Sequence, residues 1–447
     1  MDPNLALSPP IFDPFTAEFQ ADPFPLLRRL REEDPIHRSP LGWVLTRYND
    51  VVAALRNQSL GAAFDREAGR AHLGDGAAFA YVSRRIHNFD PPDHTRLRSL
   101  VTKAFTVRRV EALRPHIQAI ADILLDRTNG AKTIDVLAAL AHPLPSLVIC
   151  EMLGVRETDR PRFSRWTEDI AFLLLPPVPP HRLEAGEAAA AEFMAYVRDL
   201  IEHRRATPTD DLLSALIAAE EHGDRLSIDE LIANVVFLFS AGHQTTRDLV
   251  GNGLLALLRH PDLKRRVAGD PSRLPALVEE CLRYDPSVTA TPRRAQEETT
   301  IAGTPIAAGD RLILSISGAN RDPARFPDPD RFDIDRPNNE PLAFEAAFTI
   351  ASGQPSHARK RRSYLARSCD ATRTWNWRTK LSNGVRRGSS EDLSPFRCPY
   401  ETVHGRLTAQ PAVGADRRAT SSPRPGIGGR RPLSRQSLGG RDGSPRG

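Results

Sequence analysis

The sequence predicts a mainly α-helical protein with small β-sheets, an α+β arrangement, and three features carry that prediction. Helical patterns recur from residue 24 to residue 284, the longest running from Ser227 to about Arg259. Short strand-like runs near 299–302, 305–306 and 311–316 are spaced by Gly303 and Gly309. Of 447 residues, 40% are hydrophobic, enough for a large core.

The elements follow in order. Residues 1–25 are proline-rich and read as a surface wrap. FPLLRRLREE at 24–33 is a short amphipathic helix. Trp43–Thr46 reads as strand and 48–57 as helix, while 61–80 is too rich in Gly and Ala to assign. Pro91 and Pro92 stop the chain before a helix from Asp93 to Phe105, with Asp93 as its N-cap. Helices are expected near 109–128, 143–153, 159–173, 185–205 and 210–220. The cluster Pro176, Pro177, Pro179, Pro180 breaks that run into a loop or lid. Ser227-Ile-Asp-Glu230 is a capping box, and the apolar run behind it is hydrophobic nearly all round, the mark of a buried central helix. A helix over 272–284 and a loop rich in Asp, Pro and Arg over 320–341 complete the pattern.

Charge divides the chain near Phe344. Residues 345–447 hold 20 Lys+Arg and 7 Asp+Glu, a balance of +13, whereas residues 1–344 hold 41 and 49, a balance of −8. The expectation is a globular body over 1–344 and a basic, disordered tail over 345–447, rich in Arg, Ser, Gly and Pro. The body gives no reason to expect nucleic acid. Four cysteines without a CxxC pair argue against a disulfide framework or a zinc site. No segment approaches the ~20 apolar residues of a membrane span, and the N-terminus lacks a signal pattern, so a cytoplasmic protein without a membrane anchor is expected.

Three constellations carry chemistry. Ala241-Gly242-His243-Gln244-Thr245-Thr246 sits in the middle of the long helix. Gly and Thr are poor helix formers, and a Thr hydroxyl can take over a backbone carbonyl and open a polar notch. Read alone, that turn is more simply a kink with its threonines packed in the core. Glu280 and Arg283, three apart, share a helical face. His94 and Arg98, with Arg293 far along the chain, could clamp a carboxylate or phosphate. Each of these last groups, taken singly, reads as ordinary surface charge.

Their order and spacing are specific together. From about residue 12 to Phe344 the chain resembles the cytochrome P450 family of heme-thiolate monooxygenases, in its soluble bacterial form. HNFDPPDHTRLRSLVTKAFT, AGHQTT, EECLR, RRAQEETTIAGTPIAAGD and FPDPDRF match family motifs in family order. The resemblance implies the cytochrome P450 fold and a heme whose propionates His94, Arg98 and Arg293 would hold. It implies that Ala241 and Gly242 flank the heme and that Thr245 hydrogen-bonds oxygen. Arg331 would complete an ion-pair triad with Glu280 and Arg283. Gln244 stands where many relatives have an acid, so proton delivery would run through water or His243. The implied partners are O2, a small hydrophobic organic substrate and a ferredoxin- or flavodoxin-type electron donor. The lid near 171–185 and the loop 285–292, with Val288 and Thr289, would line the pocket.

The family's iron-binding loop, FGxGxHxCxG, is missing. The chain reads FEAAFTIASG from Phe344 to Gly353, with Thr349 at the histidine position and Ala351 at the cysteine position. A methyl group cannot bind iron, so the electron donation that favours O–O cleavage is lost. A coding sequence for FGGGIHYCIG yields FEAAFTIASG when one guanine is removed after the first codon. Residues 345–447 are therefore expected to be an out-of-frame translation. Cys150, Cys281, Cys369 and Cys398 offer no substitute, since none lies in a glycine-flanked loop that could approach a porphyrin. The expected function is a monooxygenase, impaired or inactive as written, whose folding is itself threatened by apolar helix surface left uncovered. The alternative is a non-enzymatic binding protein whose basic tail docks on an anionic surface.

Overall fold

The structure, a computed structural model, describes residues 10–343 apart from 63, 132, 175–177 and 222–226. Phe344, the expected iron loop, Ala351 and the basic tail lie outside the described residues.

Among the described residues, seven short strands form two sheets. They are β1 (Ile36–Ser39), β2 (Gly42–Leu45), β3 (Leu60–Gly61), β4 (Ala290–Ala295), β5 (Thr299–Ile301), β6 (Thr304–Ile306) and β7 (Arg311–Ser315). The larger sheet has the order β1-β2-β7-β4-β3, and β5-β6 is a separate hairpin. Only β2 and β7 run parallel, with Trp43 opposite Leu312 and Leu45 opposite Leu314. This pairing joins residues near the start of the chain to residues near 312, and its buried Leu45, Leu312 and Leu314 belong to one apolar cluster. The turn between β5 and β6 places Ala302 and Gly303 at φ 44° and 86°, the left-handed region that glycine enters at little cost.

The helical body packs around the long helix Ile228–Arg259, 32 residues long. Its capping box is formed as the sequence predicts: Glu230 N donates to Ser227 Oγ at 3.2 Å and Ser227 N donates to Glu230 Oε2 at 2.8 Å. Arg96 fixes the same carboxylate from a second helix at 2.6 Å. The core beside it is aromatic. Phe163 on helix Arg160–Ala171, Phe193 on helix Pro180–Ala206 and Phe239 on the long helix meet with ring centroids 4.9–5.7 Å apart. Trp166 stacks on Phe193 at 5.0 Å. Such pairs add about 0.5–1.5 kcal/mol each beyond their buried area.

Several boundaries differ from expectation, each for a local reason. Asp93 is the first residue of helix Asp93–Ala104 rather than its cap, and Pro92 holds the cap position without a side-chain bond. An acid in the first turn still favours the helix dipole. The helix expected from 185 begins at Pro180, because proline suits a first turn that needs no backbone donor. The single helix expected over 109–128 is two, Val107–Ala112 and Arg114–Asp126, the second with proline in its first turn. The unassigned stretch 61–80 holds helices Arg66–Leu73 and Ala77–Val82. The loop 320–341 holds neither helix nor strand, as expected; the short helix Ile316–Ala319 ends just before it.

Candidate functional site

The turn Ala241–Thr246 is helical throughout, yet it is polar as the sequence suggests. Thr245 Oγ1 donates to Ala241 O at 2.7 Å, one turn back. Thr245 is exposed in the middle of the long helix. Ser287, from the loop 285–289, donates its hydroxyl to Thr245 O at 2.8 Å, and Asn252 anchors the same loop through Asp285 O at 3.1 Å. The loop that carries Val288 and Thr289 is thereby docked on the polar turn. Phe237, Ala241 and Thr245, spaced by four, form one stripe of the helix.

Two neighbours face elsewhere. A Cβ on Gly242 would stand 2.7 Å from Ile149 Cδ1, so the missing side chain admits helix Pro143–Met152 and not a ligand. His243 is fully buried with Nε2 3.2 Å from His142 O, so Nε2 carries the proton and Nδ1 is left without a partner. Burial, and then His142, hold its pKa down to about 4, and it is neutral at pH 7. It lies two positions from Thr245, on the opposite side of the helix. A proton route from His243 would have to cross the helix, which leaves Gln244 and Thr245 as the polar side chains near the open stripe.

Two of the groups expected to clamp an anion, His94 and Arg293, share one acidic neighbour, Asp90. His94 is buried, and its Nδ1 has no hydrogen-bond partner. Burial and the neighbouring Arg98 push its pKa down to about 4, against the pull of Asp90. Arg293, on β4, is buried and donates to Thr291 Oγ1 at 3.1 Å and Pro292 O at 2.7 Å. Burial lowers its pKa to about 10, again against Asp90. One carboxylate therefore faces both His94 and Arg293. It is already engaged, accepting from Ala62 N at 2.8 Å and Gln296 Nε2 at 2.6 Å.

Glu280 and Arg283 form a fully buried bidentate pair at 2.7 and 2.8 Å. Arg283 also donates to Asn320 O, Pro329 O and Arg331 O at 2.8–3.0 Å. Glu280 accepts from Asp333 N at 2.7 Å and Asn339 Nδ2 at 2.9 Å. Arg331 does not complete this group: its guanidinium is 69% exposed and faces Asp333 at 3.4 Å. Arg336 takes the place, buried to 6% with Nε 3.7 Å from Glu280 Oε2. Arg331 contributes its carbonyl, which accepts from both Arg283 and Arg336.

These motifs recur in known proteins. The cytochrome P450 family model matches residues 43–270 and 272–357. The chain belongs to the cytochrome P450 family. It is 41% identical over 342 residues to cytochrome P450 107B1 of Saccharopolyspora erythraea, covering 74% of this chain and 82% of that one. It is 39% identical over 359 residues to the cytochrome P450 monooxygenase PikC of Streptomyces venezuelae, covering 78% and 84%. Among solved structures, the Bacillus subtilis cytochrome P450 PksS superposes with TM-score 0.71 at 35% identity, covering 82% of this chain and 90% of that one. P450BioI, solved with a hexadec-9Z-enoic acid ligated acyl carrier protein, superposes with TM-score 0.72 at 31% identity over 80% and 91%. The resemblance read from the motifs is thus upheld, as are the fold and an oxidoreductase character.

The family implies heme, and the rim of this cytochrome P450 fits its acid groups: an unpartnered buried imidazole, Arg98 beside it and a buried guanidinium. The iron side is different. Among the described residues the free cysteines are Cys150 and Cys281, both buried. Burial pushes the Cys150 thiol up to about 12 and raises Cys281 further, so neither is a ready thiolate. No group of His, Cys, Asp and Glu able to hold a metal is found among the described residues. No helix among them is long and apolar enough to cross a membrane.

Arg336 and Ser287 escaped the sequence reading. Arg336 lies five residues past Arg331 in the same Asp- and Arg-rich loop, and only burial separates the two. Arg336→Ala is expected to lower the unfolding free energy by about 2 kcal/mol or more, since it uncovers a buried charge. Arg331→Ala should stay within ~0.5 kcal/mol. Urea denaturation of the two variants decides between them.

His94 gives a pH dependence. Its folded pKa of about 4 lies below the ordinary 6.5 of the unfolded chain. Between those values the unfolded chain binds more protons, so stability falls as pH drops from 6.5 to 4. His94→Gln should flatten this decline in the urea midpoint of the porphyrin-free chain. An unchanged slope would show that His94 titrates normally.

Proposed function

We propose that residues 1–344 are the body of a cytoplasmic cytochrome P450 monooxygenase acting on a small hydrophobic organic substrate. Oxygen is the co-substrate, and electrons come from a ferredoxin- or flavodoxin-type donor. Residues 345–447 are an out-of-frame tail, and the chain as translated is impaired or inactive. The observation that carries this last point is Ala351 at the position of the iron-binding cysteine, with the described cysteines buried as thiols. A further support is that the family match runs to residue 357, past the altered loop.

Heme, when bound, supplies oxygen activation; the chain's own residues set its surroundings. His94, Arg98 and Arg293 would hold its two acid groups, His94 as a neutral hydrogen-bonding group and Arg293 with its charge partly offset by Asp90. Thr245 offers a hydroxyl on the open stripe. Its proton rests on Ala241 O at 2.7 Å, so it reaches an outside acceptor only by leaving that carbonyl. Gln244 hydrogen-bonds but does not titrate, so a proton must arrive from solvent past Thr245. Phe237 and Ala241 supply the apolar part of the same face, suited to a hydrophobic substrate.

The reduced, carbon monoxide-treated chain is expected to lack the Soret band of a thiolate-ligated heme. Inserting one nucleotide after codon 344, so that the loop reads in the other frame, should restore that band. A thiolate-type band from the unaltered chain would refute the lost ligation. A genomic sequence with no cysteine loop in any frame would refute the frameshift.

A further inference from the structure

The segment Arg84–Asn88 crosses the long helix immediately before the polar turn. Asn234 fixes it there, accepting from Ile86 N at 2.7 Å and donating to Arg84 O at 3.0 Å. Tyr81 reaches Ser240 Oγ at 3.1 Å, next to Ala241. His87 lies face to face with Phe237, ring centroids 4.5 Å apart and planes tilted by 31°. The segment thus sits at the head of the stripe Phe237–Ala241–Thr245.

Two of its side chains are unaccounted for. Arg85 is 4% exposed, yet its Nε and Nη1 have no hydrogen-bond partner, and no carboxylate pairs with it among the described residues. Its guanidinium lies 5.2 Å from the centre of the Tyr81 ring. Tyr81 also favours the charge as a side-chain hydrogen-bond partner of this guanidinium, but Nε and Nη1 stay open. His87 Nδ1 is likewise buried without a partner. The acids nearby are committed elsewhere. Asp90 is held by Ala62 and Gln296, and Asp229 pairs with Arg198 and Arg84. A buried guanidinium with spare donors costs stability unless something fills the fork, and the fork fits a carboxylate.

We propose that Arg85, assisted by His87, is a carboxylate subsite of the substrate pocket, distinct from the His94, Arg98 and Arg293 rim. The substrate class is a hydrophobic organic acid. This rests on the monooxygenase reading of the pocket and deepens it. Eight residues separate Phe237 from Thr245, about 12 Å along the helix. An acid anchored at Arg85 therefore lays its apolar chain along Phe237 and Ala241 and brings a distant carbon, not the one beside the carboxylate, to Thr245.

The test is a calorimetric titration of laurate and of 1-dodecanol into the full-length chain, with hemin binding followed separately by absorbance. Laurate should bind at least tenfold tighter than dodecanol. Arg85→Ala should erase that preference and leave hemin affinity within about twofold, while Arg85→Lys keeps part of it. His94→Ala with Arg98→Ala should weaken hemin and spare the laurate preference. Equal affinities for acid and alcohol in the unaltered chain overturn the proposal. So does an Arg85→Ala variant that loses hemin but keeps the laurate preference, which would assign Arg85 to a heme propionate. A melting temperature for Arg85→Ala at or above that of the parent shows that the variant folds; a large fall would mean that Arg85 is structural and would also overturn it. Failure of hemin to bind at all would overturn the proposed heme-binding role of the rim, not the family membership, and would leave the acid–alcohol comparison to decide the subsite.

Discussion

The buried pair of Glu280 and Arg283 is the constraint on which the C-terminal half of the described structure depends. Both side chains are fully enclosed. Burying two charges is costly, and the attraction between them repays it only when their remaining donors and lone pairs are satisfied. Here they are: three carbonyls take up Arg283, and a backbone N–H and an amide take up Glu280. Those partners all come from residues 320–339, which form neither strand nor long helix. The pair therefore does for this loop what a hydrogen-bond ladder does for a sheet. Without it the loop would have few reasons to hold one shape, and Asn320, which also accepts from Leu342 N at 2.7 Å, would have no fixed carbonyl to offer Arg283.

The pocket side is answered differently. Around Glu280 both carboxylate oxygens and the Arg283 guanidinium are answered from within the chain, though Arg336 Nε and Asn339 Oδ1 beside them lack a hydrogen-bond partner, as do His94 Nδ1 and Arg85 Nε and Nη1. Native interiors rarely leave such groups without a partner. What differs is the answer to charge: Arg336 faces the Glu280 carboxylate at 3.7 Å, whereas no carboxylate pairs with Arg85 among the described residues. Buried groups elsewhere also respond to pH according to their partners. His94, short of partners and beside Arg98, is held neutral, while the capping-box acid Glu230 is pulled down by Arg96 and the Ser227 N–H despite its burial.

How much of this was legible depended on whether a feature is local. The capping box at Ser227, the length of the helix behind it and the Glu280–Arg283 spacing are written in neighbouring residues and were read correctly. The hydrogen bond from Thr245 to the preceding turn is local too. What failed to show was direction. Gly242 and His243 sit in the same six residues as Thr245, but 100° of rotation per residue turns them towards Ile149 and His142, and those contacts lie about a hundred positions away in sequence. Arg331 and Arg336 differ only in which one the folded loop encloses, a property of the closed network and not of either residue. The open Nε and Nη1 of Arg85 are likewise invisible in sequence, since they are a statement about what does not come near.

The point at which the sequence departs from its family bears on what survives. The last bond of the polar network in the described residues is that from Leu342 N to Asn320 Oδ1. On the reading proposed above, the altered frame would begin after Phe344. Every residue that builds the Glu280 network, the cationic rim and the open stripe thus precedes the change. The groups that hold acid and shape the pocket are encoded independently of the group that would bind iron. On that reading, a single lost nucleotide would remove the electron-donating ligand while leaving the recognition chemistry written in full. Binding and catalysis in this chain would then be separable, with the rim and the Arg85 fork as the places where that separation is expressed.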